Sequence, residues 1–232
     1  MNEINRTKLK GVLFDLGGTL VYIDNDPYFK SDYISERVNK LLEPFDIHLT
    51  NEQLTEMAIA YWHKLKEEYF SRGDDFRITE FTSGLLKEIG FKGDSIRRIA
   101  EKYADLIFEF EYENTELYDG ALKLLEFLKT SEYKIGLITN SCYDEARIRK
   151  LIRKVGIEDY FDVVLTSSDE RCAKPNPEIF QKALDLLGLK PDEALYIGDR
   201  PEFDAQGAKN SGMHWITISD DVDLNTIFNM LS

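Results

Sequence analysis

From about residue 117 onward, short apolar runs alternate with helical stretches, and that rhythm allows few folds. The runs are Lys134-Ile135-Gly136-Leu137-Ile138-Thr139, Phe161-Asp162-Val163-Val164-Leu165, Ala194-Leu195-Tyr196-Ile197-Gly198 and Trp215-Ile216-Thr217-Ile218. Helical spacing occupies the segments near 120–129, 143–155, 177–188 and 202–210, and a last helix ends near Met230. Strands separated by helices cannot pair as hairpins; they lie parallel, and a parallel sheet needs helices on both faces. The spacing therefore predicts an α/β fold built on a doubly wound parallel sheet. Val12-Leu13-Phe14 has the same character and belongs to that sheet. Asn176 followed by Pro177 reads as an N-cap with proline at the first helical position, and Gly188 ends that helix.

Residues 27–113 follow another pattern. Val38, Leu41, Leu42 and Phe45 recur at helical spacing, as do Leu54, Met57, Ala58, Tyr61 and Leu65. Thr50 with Gln53 forms a capping-box signature, Asp94 is placed to N-cap a helix from Ile96, and Gly73 and Gly90 mark breaks. The organisation expected is a core of residues 1–20 and 116–232, with residues 21–115 inserted as a helical domain.

Composition narrows the function. The 232 residues carry a net charge of -14, which repels nucleic-acid phosphates and anionic lipid, so neither partner is expected. No stretch approaches the ~20 apolar residues that span a bilayer. Met1 to Lys10 is polar, without the apolar segment of a secretion signal, and Cys142 and Cys172 lack a CxxC spacing. Both facts lead us to expect a cytoplasmic protein.

Polar residues terminate the apolar runs: Asp15; Thr139-Asn140-Ser141; Ser167-Ser168, with Lys174 soon after; and Asp199, with Asp204. In a parallel sheet these ends share one edge, where ligands bind. In this order the segments resemble the four motifs of the haloacid dehalogenase-like (HAD) hydrolase superfamily. Asp15-Leu16-Gly17-Gly18-Thr19 resembles the first, normally Asp-x-Asp-Gly-Thr, and Leu137-Ile138-Thr139-Asn140 the second. Lys174-Pro175-Asn176-Pro177 resembles the third, and Gly198-Asp199-Arg200-Pro201-Glu202-Phe203-Asp204 the fourth.

The resemblance implies a Rossmann-like core with a helical cap of the C1 type at residues 21–115, and a hydrolase acting on a small phosphorylated metabolite. Asp15 would attack phosphorus to form an aspartyl-phosphate. Thr139, Asn140 and Lys174 would bind the phosphoryl group, with Thr139 and Lys174 also catalytic. Mg²⁺ would be held by Asp15, the Gly17 carbonyl, Asp199 and Asp204, an oxygen-rich set that suits a hard cation.

Gly17 departs from the pattern. The family's second Asp protonates the leaving oxygen, and general acid–base help is worth roughly 10²–10⁴-fold. A phosphatase with this glycine would use another acid, such as Asp24, Asp26 or Glu202, or favour good leaving groups. Other chemistry of the family stays open, either 2-haloacid dehalogenation or phosphonate hydrolysis using a lysine such as Lys30, Lys64 or Lys66. So does a weakly active phosphoryl-binding or partner-binding protein. The aromatic residues Tyr61, Trp62, Tyr69, Phe70, Phe108 and Phe110 read first as helix packing and second as a specificity pocket. His63 reads as a helix surface residue.

Overall fold

The computed structural model describes residues 7–23 and 32–232. In chain order the elements begin with strands β1 (Gly11–Phe14) and β2 (Val21–Ile23) and helices α1 (Asp32–Leu42), α2 (Asn51–Phe70), α3 (Ile78–Glu88) and α4 (Ile96–Asn114). There follow β3 (Thr115–Leu117), α5 (Ala121–Thr130), β4 (Lys134–Thr139), α6 (Glu145–Lys154), β5 (Val163–Thr166), α7 (Ser167–Glu170) and α8 (Pro177–Leu187). The chain closes with β6 (Ala194–Gly198), α9 (Asp204–Asn210), β7 (His214–Thr217) and α10 (Leu224–Leu231).

Five strands form one sheet in the order β5-β4-β1-β6-β7, and every pairing is parallel. The alternation of runs and helices thus builds the doubly wound sheet that it predicts. β1 lies at the centre, with Phe14 in register with Leu137 on one side and Ile197 on the other. All four of its residues are buried, as are all five of β6. Strands enclosed on both faces must be apolar throughout, which is why these runs show no alternation. Leu13, Ile138, Phe180, Tyr196 and Ala208 share one core cluster. There the Phe180 and Tyr196 rings meet edge-on at 5.0 Å.

The helix boundaries follow local chemistry. Asn176 Oδ1 accepts from the Glu178 N–H ahead of Pro177, and Gly188 ends α8 in the left-handed region at φ 68°. Gly207 of α9 faces the Phe180 ring so closely that a Cβ would stand 2.3 Å from it. That contact lets two covering helices approach. Two strands are shifted from their expected bounds: β5 starts at Val163, after Asp162, whose N–H donates to the Ile135 carbonyl and whose carboxylate accepts from the Ile135 N–H, and β7 runs from His214 to Thr217.

The chain divides into two compact units. One comprises Met1–Ile23, Gly73–Asp75 and Thr115–Ser232; the other, Asp24–Arg72 and Phe76–Asn114, is helical among its described residues. In the helical unit Thr50 and Gln53 complete the capping box at α2, with bonds of 3.1 and 2.9 Å. The Trp62 ring meets Phe76 and Phe81 edge-on, and Phe108 is buried, so these aromatic residues pack the unit's own interior. His63 is exposed on α2. A feature that periodicity missed is the antiparallel pair β2–β3 in the sheet unit. Three residues per strand are too few to show a period. Among the described residues no helix is long and apolar enough to cross a membrane.

Candidate active site

Asp15 is the first residue beyond β1, and its N–H donates to the Ile197 carbonyl at 2.9 Å. Asp199 follows β6 directly, Thr139 ends β4, and the register places all three at the carboxyl edge of the sheet. Asp204 opens α9 and is buried. Lys174 comes to this edge on the segment before α8, where it is 2% exposed.

The ammonium of Lys174 is the hub. Its Nζ donates to Asp15 Oδ1 at 2.6 Å, to Asp204 Oδ1 at 2.7 Å and to the Tyr196 hydroxyl at 2.9 Å. A lysine has three donors, and all three are used. The Tyr196 hydroxyl donates in turn to the Ile138 carbonyl at 3.0 Å, which ties the ammonium to the peptide preceding Thr139. Asn140 holds the other end of the lysine. Its Oδ1 accepts from the Lys174 N–H at 2.8 Å and its Nδ2 donates to the Lys174 carbonyl at 2.9 Å. The Asn140 side chain thus clamps the Lys174 backbone.

The charges explain the protonation balance. Burial pushes the Asp15 carboxyl up most strongly; Lys174 opposes that, and Asp204 and Asp199 add to it, leaving Asp15 at about 6. Burial pulls the Lys174 ammonium down, but Asp15 and Asp204 outweigh it and hold the group above its ordinary value. Asp199 is raised as well, by burial first and by Asp204 next. Lys174 therefore stays charged at neutral pH, and Asp15 is mostly ionised.

One carboxylate oxygen each from Asp15, Asp199 and Asp204 lies within 4.8 Å of the other two. Three carboxylates and one ammonium leave a net charge of -2 in a largely buried place, and such charge demands compensation. Oxygen ligands at this spacing fit a hard divalent cation. Both Asp204 oxygens already have partners, since Oδ2 accepts from the Arg200 N–H at 2.9 Å. Two glycines make room for this cluster. At Gly18, φ +80°, a Cβ would stand 2.4 Å from Asp199 Oδ2, and at Gly198 it would meet the Asp204 carboxyl at 2.4 Å.

The remaining strand-end residues have other duties. Ser167 Oγ donates to Asp75 Oδ2 at 2.7 Å and accepts from the Ser141 N–H at 2.8 Å, a buried knot joining residues 73–75 to the sheet unit. Ser168 Oγ donates to the Tyr143 carbonyl. Glu202 is exposed and takes two N–H bonds from Arg200; backbone bonding first and then Arg200 hold its carboxyl below the usual range. Asp24, Asp26 and Lys30 lie outside the described residues. Lys64 pairs with Glu88 at 2.9 Å, and Lys66 stands 4.5 Å from the centre of the Phe70 ring. Cys142 and Cys172 are buried and form no disulfide.

Tyr196 is the site residue that the sequence reading passed over. Its signal was one hydroxyl in an otherwise aliphatic strand, since a buried tyrosine O–H requires a partner.

A family model described as haloacid dehalogenase-like hydrolase matches residues 9–212. The pyrophosphatase PpaX of Bacillus cereus (strain AH820) is 28% identical over 212 residues, covering 91% of this chain and 84% of its own length. A 2-haloacid dehalogenase from Pseudomonas syringae pv. tomato DC3000 superposes with a TM-score of 0.71 at 23% identity, over 96% of this chain and 98% of that one. A HAD phosphatase from Thermococcus onnurineus does so at 0.64, also at 23% identity, over 97% and 98%.

Proposed function

This chain belongs to the haloacid dehalogenase-like hydrolase family, and from that premise we propose that it is a Mg²⁺-dependent phosphatase for small phosphorylated metabolites, with Asp15 as nucleophile. The observation that carries this reading is the uncompensated charge of -2 among Asp15, Asp199, Asp204 and Lys174. A site built only to displace halide from carbon has no need of a dication, whereas an anionic phosphoryl group cannot approach this cluster without one.

In the proposed reaction an Asp15 carboxylate oxygen attacks phosphorus and the ester oxygen leaves with the bonding pair. Water then attacks the aspartyl-phosphate, releasing phosphate and regenerating the carboxylate. Lys174 holds Asp15 in its ionised form and in position. Thr139, at the end of β4, offers its hydroxyl to the transferring group, and Asn140 acts through the lysine backbone. Asp15, Asp199 and the Gly17 carbonyl would hold the cation, with Asp204 as ligand or support. When bound, the cation supplies charge neutralisation for the phosphoryl oxygens. The helical unit would supply substrate selection, and two cysteines outside any disulfide fit a reducing cytoplasm.

Gly17 shapes the substrate range. Glu202, already paired and held ionised, is a poor proton donor. With glycine in the place of the usual acid, the proposed enzyme favours leaving groups that depart without protonation, such as acyl, aryl or phosphoanhydride groups. The PpaX relative, a pyrophosphatase by name, acts on a phosphoanhydride, which agrees with that preference.

The test is a series of phosphate esters of graded leaving-group acidity, assayed with Mg²⁺ and with a chelator. Turnover should require the cation and fall steeply as the leaving group becomes more basic. A flat dependence would show that another residue donates the proton. Halide release from 2-haloacids in chelator would replace the proposal with the dehalogenase reading.

A further inference from the structure

Among the described residues few large apolar side chains are exposed, and two of them touch. Tyr22 is 49% exposed and Tyr118 38%. Their ring centres lie 6.3 Å apart with planes at 78°. Two exposed rings set at nearly a right angle make an aromatic corner. Aromatic groups prefer stacked and edge-on contacts.

The corner is fastened to the turn that carries the proposed nucleophile. Tyr22 lies in β2, and the Tyr118 N–H donates to the Leu20 carbonyl at 2.9 Å. Leu20 and Val21 both return their N–H groups to the Leu16 carbonyl, one residue past Asp15, and the Gly18 N–H donates to the Val21 carbonyl. On the other side this turn abuts Asp199, through the close approach at Gly18 and a long 3.5 Å contact from Thr19 Oγ1. The tyrosines and the carboxylates are thus two ends of one short, hydrogen-bonded turn.

The geometry points to Tyr22 and Tyr118 as the leaving-group contact of this site, selecting phosphoryl compounds whose departing group is a planar aromatic ring. The inference rests on the phosphatase reading and names its substrate class. Two independent facts converge on it. Gly17 removes the usual acid, and an aryl oxide, with a phenol pKa near 10, leaves far more readily than an alkoxide. The exposed aromatic corner offers the contacts that only a ring can use. The Tyr118 hydroxyl is held above its ordinary value, by burial first and by Asp199 next, so it stays neutral and does not repel an incoming phosphate.

The experiment compares phenylphosphonate with methylphosphonate, two non-hydrolysable ligands sharing a phosphoryl head, by titration calorimetry in Mg²⁺. The wild type should bind the phenyl ligand on the order of 10-fold more tightly, the scale of one or two ring contacts. Tyr22→Ala and Tyr118→Ala should bring that ratio towards one by weakening the phenyl ligand alone, and Tyr118→Phe should keep it. A wild type that binds both alike, or alanine variants that keep the preference or weaken both ligands equally, would overturn the inference. Assays with phenyl phosphate and acetyl phosphate separate it from its premise. Ring preference without turnover sinks the hydrolytic reading and leaves the corner standing, whereas turnover without ring preference does the reverse.

Discussion

Lys174 shows how much one buried side chain can govern. Its three donors are divided between two carboxylates and a neutral hydroxyl, so removing any acceptor strands an N–H in the interior, at a cost of about 1–3 kcal/mol. Tyr196→Phe removes the neutral one. The expected result is a lower kcat with KM nearly unchanged, because the hydroxyl positions the lysine and does not contact substrate; a proportional loss in both would mark a general structural defect. Gly17→Asp is the complementary change. It should speed alkyl phosphate hydrolysis, by up to roughly 10²–10⁴-fold, and barely alter substrates with acidic leaving groups; equal effects on both classes would mean that the missing acid is not what limits the enzyme. At this scale the sequence was legible wherever chemistry sits at a strand end. Asp15, Thr139 and Asp199, at strand ends, and Lys174 and Asp204, a few residues further on, were legible as candidates, and the structure brings the three acids and the lysine together. The duties of Tyr196 and the Asn140 side chain were not, because a hydrogen-bond partner is a fact of three-dimensional packing and leaves no period in the chain.

Among the elements, the parallel strands and their covering helices were readable because the central strands are apolar and several helices carry side-chain N-caps, Asp144, Asn176 and Asp223 among them. The pair β2–β3 was not, since its strands are three residues each, too short to show a period. Close approaches between elements are also invisible to periodicity. Gly207 is the case in point: a Cβ there would stand 2.3 Å from the Phe180 ring and 3.2 Å from the Pro175 backbone. Gly207→Ala should therefore force α9 away from α8, a strain of about 1–3 kcal/mol. At roughly 2–4 °C per kcal/mol for a chain of this size, thermal denaturation should show a drop of several degrees. Because α9 begins with Asp204, Mg²⁺ affinity should fall with it. An unchanged melting temperature would show that the ring simply turns aside.

For the whole molecule, the buried carboxylates link stability to pH and to the cation. Asp15 stands at about 6 against an ordinary 3.8, so the folded protein holds that proton more tightly than the unfolded chain. Its contribution is present in full below about pH 4 and is lost as pH rises through 6, amounting to something on the order of 3 kcal/mol. A dication competes with that proton. The rise in melting temperature caused by Mg²⁺ should then be larger at about pH 7.5 than at about pH 5, and Asp15→Asn should flatten the difference. An equal rise at both pH values would place the cation elsewhere. The net charge of -14 is silent about this local balance, which depends on three acids from distant segments converging on one lysine.

The central claim, that Asp15 takes the phosphoryl group, is tested most directly by acid-quenching the enzyme during turnover of an aryl phosphate with Mg²⁺ and mapping its peptides by mass spectrometry. The account predicts a phosphoryl increment on the peptide containing Asp15, removed by hydroxylamine as an acyl phosphate should be and absent from Asp15→Asn. Brisk turnover with no increment on that peptide, or an increment on another residue, would contradict it.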